Sequence, residues 1–73
     1  MNKTIYTNEH KHIVQQLKKA RIEAGLDQEE VAKLLKKTQS YISKIESGQR
    51  RIDVVQLKEL AKIYKKKLDW FLK

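Results

Sequence analysis

Apolar residues recur at three- and four-residue spacing along most of the chain. The first such stretch contains Ile13, Leu17, Ala20 and Ala24. This spacing is typical of the buried stripe of an amphipathic helix. Gly25 comes next, and glycine is the usual left-handed residue just past a helix end. The pattern therefore predicts a first helix that follows a short N-terminal segment and ends before Gly25.

Three further amphipathic segments each begin beside a residue that can cap a helix. Asp27 and Glu30 have the spacing of a capping box, and Asp53 and Gln56 repeat it. Thr38 precedes the segment between these two. The predicted inward residues are Val31, Ala32 and Leu35 in the second helix, and Val54, Leu57, Leu60, Ala61 and Tyr64 in the fourth.

The end of the chain predicts a short fifth helix, capped by Asp69, that contains Trp70, Phe71 and Leu72. Residues 1–8 lack helical periodicity, and we expect them to form a flexible N-terminal arm. Residues 9–73 contain no linker long enough to divide domains. The pattern thus indicates one all-α domain of five helices without strands.

One half of the predicted third helix is apolar, and the other half has only small or hydrogen-bonding side chains. At about 100° per residue, the polar half contains Gln39, Ser40, Ser43, Lys44 and Ser47, and the apolar half contains Tyr41, Ile42 and Ile45. Such a polar face fits the major groove of B-DNA, where Gln can bond adenine and Lys can bond guanine. The helix taken alone is equally compatible with a solvated surface.

Charge favours the first interpretation. The 73 residues contain 17 Lys and Arg against 9 Asp and Glu, which gives a formal net charge of +8. This excess indicates a polyanionic partner, with nucleic acid ahead of a membrane surface. Residues 33–51 contain one acid, Glu46, and the six bases Lys33, Lys36, Lys37, Lys44, Arg50 and Arg51. Phosphates flank the DNA grooves, so positive charge on both sides of a polar helix suits DNA.

Several other classes are disfavoured. With 0 Cys, the chain has no disulfide and no thiolate zinc site. His10 and His12 are two residues apart and point to different helix faces, so we expect no metal and no cofactor. No nucleophile–base set or phosphate-binding glycine loop is present, and we expect no enzyme. No apolar run approaches the roughly 20 residues of a membrane span, so we expect a cytoplasmic protein that is nucleoid-associated when DNA-bound.

Four segments carry a family resemblance. They are residues 25–32 (GLDQEEVA), 38–51 (TQSYISKIESGQRR), 57–61 (LKELA) and 68–72 (LDWFL). Together they resemble the Cro/CI-type helix-turn-helix proteins of the XRE family, over about residues 12–72. The resemblance implies a compact five-helix, lambda-repressor-like DNA-binding domain with its helix-turn-helix at helices 2 and 3.

The resemblance also implies roles for single residues. Base-reading positions correspond to Gln39, Ser40, Ser43 and Lys44. Phosphate-binding positions correspond to Gln28, Arg50 and Arg51. We also expect Lys36, Lys37 and Thr38 to bind phosphate, since this turn lies close to the expected path of the DNA backbone. For Ser43 a phosphate contact is the alternative, and for Gln28 and the two arginines an ordinary solvated position is.

Two further implications concern structure. Arg21 and Glu46 correspond to a buried ion pair that joins helix 1 to the end of helix 3. Trp70 and Phe71 are candidates for a dimer face, since family members commonly dimerise through the C-terminal region. The alternative is that both rings close the core.

Two turns depart from the family pattern. The turn after helix 2 usually has glycine followed by an apolar residue, but here it has Lys36 and Lys37. Lys65 and Lys66 make the same replacement after helix 4. Either the first lysine of each pair adopts the left-handed conformation, at a cost of roughly 1 kcal/mol relative to glycine, or the turn is reshaped.

The functional hypothesis is a sequence-specific transcriptional regulator, most simply a repressor, that binds an inverted-repeat operator in double-stranded DNA as a homodimer. The alternative is an antitoxin or a restriction–modification controller that uses the same domain with a protein partner. Glu29 could contact RNA polymerase, although a solvated acid explains it as well. No membrane partner is expected.

Overall fold

Five α-helices account for most of residues 8–73, the part of the chain that the computed structural model describes. They are α1 (Asn8–Glu23), α2 (Gln28–Leu35), α3 (Gln39–Glu46), α4 (Val54–Tyr64) and α5 (Leu68–Leu72). No strand occurs within this range, so the all-α prediction is confirmed. Residues 1–7 of the expected N-terminal arm lie outside the described residues, and Asn8 already begins α1.

Three of the predicted helix starts are confirmed by their caps. Asp27 accepts the amide of Glu30 at 2.8 Å, and the Glu30 carboxylate accepts the amide of Asp27 at 2.8 Å. Asp53 and Gln56 form the same reciprocal box at the start of α4. The Thr38 hydroxyl accepts an amide of the first turn of α3 at 3.2 Å. Each cap satisfies amides that have no partner inside the helix.

The predicted cap of α5 is wrong. The helix begins at Leu68, two residues earlier than expected, so Lys67 occupies the cap position without a side-chain bond. The turn closes through the backbone instead, where the Trp70 amide donates to the Lys67 carbonyl at 3.0 Å. Asp69 therefore lies in the first turn, where its charge favours the positive end of the helix dipole.

The core lies where α1, α2, α3, α4 and α5 converge. It contains Val14, Leu17, Ala20, Val31, Ala32, Ile42, Ile45, Leu57, Leu60, Ala61, Tyr64 and Phe71. The prediction that Val54 faces inward is wrong, because Val54 is 60% exposed. It lies two turns before Ala61 on nearly the same stripe, but at the first residue of α4, beyond the cover of the packed helices. Val14 was absent from the predicted stripe and is buried.

Helix packing leaves one face of α3 uncovered. Helix α2 packs against α3 and α4, and α1 packs against α3, α4 and α5. The apolar half of α3 is thereby buried, with Ile42 and Ile45 only 2% and 1% exposed. The polar half of α3 remains at the surface of the domain.

Both lysine-containing turns keep the left-handed geometry. Lys36 and Lys65 have φ angles of 59° and 58°. The amide of Lys37 then donates to the Ala32 carbonyl at 2.8 Å, and Lys66 makes the equivalent bond after α4 at 2.9 Å. These bonds are those of a glycine-type helix end. The turns are therefore not reshaped, and each carries the conformational cost of a side chain in this region.

Candidate nucleic-acid interface

The exposed face of α3 is formed by short or hydrogen-bonding side chains. Four predicted base-reading residues are all exposed on it: Gln39, Ser40, Ser43 and Lys44. Since the opposite half of the helix packs in the core, this face is presented outward from a fixed support. No acidic or large apolar side chain lies among these four residues, so another polar surface can approach closely.

A chain of hydrogen bonds orients the amide at the start of α3. Gln28 donates from Nε2 to Glu46 Oε1 at 3.0 Å, and Gln39 donates from Nε2 to Gln28 Oε1 at 3.1 Å. A carboxylate only accepts hydrogen bonds, so the Gln28 nitrogen must face Glu46 and its oxygen must face Gln39. The oxygen and the second N–H of Gln39 take no part in this series of hydrogen bonds.

The same carboxylate joins α3 to α1. Arg21 donates from Nε to Glu46 Oε2 at 2.8 Å, and the two side chains are 12% and 5% exposed. Arg21 Nη1 also donates to the Leu26 carbonyl at 2.9 Å. The hydrogen bond with Glu46 raises the pKa of Arg21. Glu46 therefore contacts α1 from the end of α3 and, through Gln28, sets the direction of the Gln39 amide.

Basic residues flank α3 at both ends. Lys36 and Lys37 are exposed in the turn before it, and Arg50 and Arg51 are exposed in the loop after it. The loop folds back on the helix, because the amides of Gln49 and Arg50 both donate to one carbonyl of the last turn of α3, at 3.0 and 3.2 Å. The predicted phosphate-binding cations thus border the polar face. Thr38 is different, since its hydroxyl is already the cap of α3.

Tyr41 contacts a basic residue from each end of α3, a role that the sequence pattern did not reveal. Lys37 Nζ lies 5.3 Å from the centre of its ring, and Arg50 Cζ lies 4.6 Å from it. The hydroxyl accepts a hydrogen bond from Gln56 Nε2, in the first turn of α4. Periodicity placed Tyr41 on the docked half of α3, but no spacing signal relates it to an arginine nine residues later.

The two aromatic residues of α5 occupy different environments. Phe71 is 0% exposed, which corrects the expectation that it lies on a dimer face and supports the alternative that it closes the core. Trp70 packs edge-on against it, with ring centres 5.0 Å apart, and stays partly exposed. Lys66 Nζ lies 4.5 Å from the Trp70 ring. At this end of the domain, Trp70 and the 58% exposed Leu72 remain at the surface.

The described residues contain neither a metal-binding cluster nor a membrane-spanning helix. Among residues 8–73, no group of three His, Asp or Glu side chains is placed to bind a metal ion. Within the same range, no helix has the length and apolar character needed to cross a membrane.

Comparison with known proteins agrees with this geometry. Residues 17–71 match the helix-turn-helix family. The matched range contains the whole of α2, α3 and α4, both left-handed turns and every polar residue of the interface described above. A comparison with curated proteins gives no match.

Proposed function

The chain belongs to the helix-turn-helix family of DNA-binding transcriptional regulators, in its Cro/CI-type (XRE) branch, and we propose that it represses transcription by binding a specific operator through α3. The observation that carries this proposal is the exposed polar face of α3, supported by buried Ile42 and Ile45 and bordered by cations. A helix with such a face fits the major groove.

Base recognition in this proposal rests on the first and last turns of α3. The amide of Gln39 is oriented by Gln28, which leaves one donor and one acceptor outward. This pair matches the N7 acceptor and N6 donor of adenine. Lys44, five residues further along α3, can donate to the acceptors of guanine. Ser40 and Ser43 lie between them and can bond either base edges or the flanking phosphates.

Affinity for the DNA backbone rests on the exposed cations. Lys36 and Lys37 precede α3 and Arg50 and Arg51 follow it, and all four are exposed. Contacts of this kind position a protein on DNA without selecting a sequence. They should also make binding strongly dependent on salt, because each neutralised phosphate releases counterions.

A homodimer would place two copies of α3 on one face of the duplex. Successive major grooves on that face are about 34 Å apart, so a two-fold dimer recognises an inverted repeat. The exposed end of α5, with Trp70 and Leu72, is the surface that we assign to this contact. Occupation of the operator would keep transcription from starting, with the protein residing on cytoplasmic, nucleoid DNA.

The test is an in vitro selection of duplexes of about 30 base pairs, long enough to span three helical turns, near physiological salt. An enriched inverted repeat with half-site centres about one turn apart supports the dimeric regulator. A single enriched half-site contradicts the dimer but not α3-mediated recognition. Without any enrichment, binding is only electrostatic, and the antitoxin or controller hypothesis with a protein partner becomes the better one.

Two variants then separate recognition from backbone attraction. Lys44→Ala should reduce discrimination between the operator and random DNA by about 1–3 kcal/mol, since it removes a base contact. Arg51→Ala is the matched control, because it removes one positive charge outside α3. It should weaken both DNAs equally and lower the salt dependence by about one unit. An unchanged sequence preference in Lys44→Ala would contradict the proposed orientation of α3.

A further inference from the structure

We propose that Tyr41 is a positioning residue that presents Lys37 and Arg50 together to the DNA backbone. The three side chains, here called the Tyr41 cluster, lie beside the polar face of α3 rather than on it. The inference rests on the proposed DNA binding and adds to it how two phosphate-binding cations are oriented before DNA arrives.

The Tyr41 ring is partly buried and hydrogen-bonded within the domain. Tyr41 is the third residue of α3 and is partly buried, because this helix packs on the core through Ile42 and Ile45. Its hydroxyl accepts a hydrogen bond from Gln56, whose own amide oxygen accepts the amide of Asp53 in the cap of α4. The ring is therefore attached to two helices, α3 and α4.

Both cations reach this ring from opposite ends of α3. Lys37 precedes the helix and Arg50 follows it, and yet their charged groups lie 5.3 and 4.6 Å from the ring centre. The return of the loop explains the second contact, because the Arg50 amide bonds to the Lys44 carbonyl at 3.2 Å. These distances lie within the range of attraction between a cation and an aromatic face.

Such contacts matter for binding because lysine and arginine are otherwise mobile. A flexible cation loses rotamer freedom when a phosphate immobilises it, and this loss weakens association. A ring that already restricts Lys37 and Arg50 reduces that loss. An aromatic face leaves the N–H donors at the edge of the guanidinium and on the ammonium available, so the cations can bind phosphate while they stay on the ring.

The position of Tyr41 argues against direct base stacking. The ring lies on the half of α3 that faces the domain, and its hydroxyl is bonded to α4. The effect of Tyr41 should therefore pass through Lys37 and Arg50, and should not depend on the DNA sequence.

The experiment is a double-mutant cycle on DNA affinity in the full chain. Tyr41→Leu removes the ring, whereas Tyr41→Phe keeps the ring and removes the hydroxyl. Each is combined with the Lys37→Ala and Arg50→Ala pair, and affinities are measured for operator and random duplexes. The matched control is a cycle with Arg51, the next residue, which makes no cation–π contact with Tyr41 in the described part of the chain.

We expect Tyr41→Leu to weaken both duplexes by about 3- to 10-fold, from the rotamer freedom regained by two side chains. The loss should shrink below about 2-fold when Lys37 and Arg50 are already alanine, and should persist in the Arg51→Ala background. Tyr41→Phe should stay within about 2-fold of wild type, because the ring and both cation contacts remain. Thermal unfolding and the side-chain NMR shifts of Arg50, displaced by the ring current of Tyr41, show that Tyr41→Leu is folded and has lost the contact.

Three results would overturn the inference. They are a folded Tyr41→Leu protein with undiminished affinity, an equal loss in the Lys37→Ala/Arg50→Ala background, and a loss confined to the operator. The last would mean that Tyr41 contacts a base. Failure of the wild-type protein to bind any duplex is a different outcome, since it contradicts the proposed function itself.

Discussion

At the scale of single residues, the interface depends on one buried carboxylate. Glu46 accepts from Arg21 on one oxygen and from Gln28 on the other, at 2.8 and 3.0 Å. Gln28 in turn orients Gln39. A single acid thus joins α1, α2 and α3 and sets the direction of a side chain that we assign to base recognition. This double use explains why an acid lies within an otherwise basic stretch.

Replacing Glu46 should lower stability before it changes recognition. Glu46→Ala leaves the partly buried guanidinium of Arg21 with the Leu26 carbonyl as its remaining acceptor, and the loss of the partner of a fully buried charge costs about 3–5 kcal/mol. A domain of this size has little more than that in total, so even part of this loss should lower the urea midpoint of the alanine variant strongly. Glu46→Gln keeps an oxygen acceptor and should lose less, which urea unfolding of both variants measures.

The control for this substitution is Glu29→Ala, an exposed acid on α2. Its free energy of unfolding should stay within about 0.5 kcal/mol of the wild-type value. If Glu46→Ala were equally stable, the Arg21–Glu46 contact would have no structural role.

At the scale of helices, the residues at the helix ends define where each helix starts and stops. Capping residues at the starts of α2, α3 and α4 are recognisable in the sequence and form the expected bonds. The helix ends at Lys36 and Lys65 use a left-handed residue that has a side chain. The chain therefore carries a positive charge at a turn beside α3, in exchange for backbone strain.

Lys36→Gly should stabilise the domain. Glycine removes the left-handed cost of about 1–2 kcal/mol, and part of this gain is lost because glycine makes the unfolded chain more flexible, by about 0.4–1 kcal/mol. A net gain of about 0.5–1 kcal/mol is expected, visible as a higher urea midpoint with an unchanged slope.

The matched control is Lys33→Gly, three residues earlier on the exposed side of α2. This position is helical, so the same substitution should destabilise the domain by about 1 kcal/mol. Equal effects of both substitutions would show that the strain at Lys36 is negligible.

At the scale of the whole molecule, pairs of charges join helices that are distant in sequence. Lys66 Nζ donates to Glu23 Oε1 at 2.9 Å, which links the turn after α4 to the end of α1. The same ammonium lies 4.5 Å from the Trp70 ring on α5. A lysine that replaces the apolar residue of the family pattern thus contacts two other helices.

This link predicts a pH dependence of stability. The hydrogen bond from Lys66 lowers the pKa of Glu23. The contribution of the pair is therefore complete above the ordinary glutamate pKa of about 4.3, and is lost as the pH falls through the lowered pKa of the folded state. The difference in melting temperature between wild type and Glu23→Gln should be largest near neutral pH and should disappear at acidic pH.

Glu59→Gln is the control for this pH series. The Glu59 side chain is exposed on α4 and forms no ion pair within residues 8–73. Its melting difference from wild type should be small at neutral pH. A pH-independent difference for Glu23→Gln would contradict the assigned pair.

Most of the fold could be predicted from the sequence, whereas the details of the interface could not. Helical periodicity and capping boxes act over three or four residues, so the five helices were visible in the spacing of the chain. Two errors fell at helix ends, where Lys67 rather than Asp69 precedes α5 and where Val54 extends past its packing partners, and a third fell inside α1, where Val14 is buried. Such details depend on which neighbouring element covers a residue.

The sequence by itself determined the helices, the polar and apolar halves of α3 and the basic stretch around it, because each depends on local spacing or composition. Only the tertiary structure decided that Gln39 is oriented through Gln28 and Glu46, that Tyr41 contacts both Lys37 and Arg50, and that Phe71 is buried. The contacts of Tyr41 with Arg50 and of Gln28 with Gln39 and Glu46 join residues 9 to 18 positions apart, and local spacing carries no information on which helices pack together. The same physical rule separates the two sets, since local bonds follow from neighbouring residues, whereas distant contacts require the whole core to be formed.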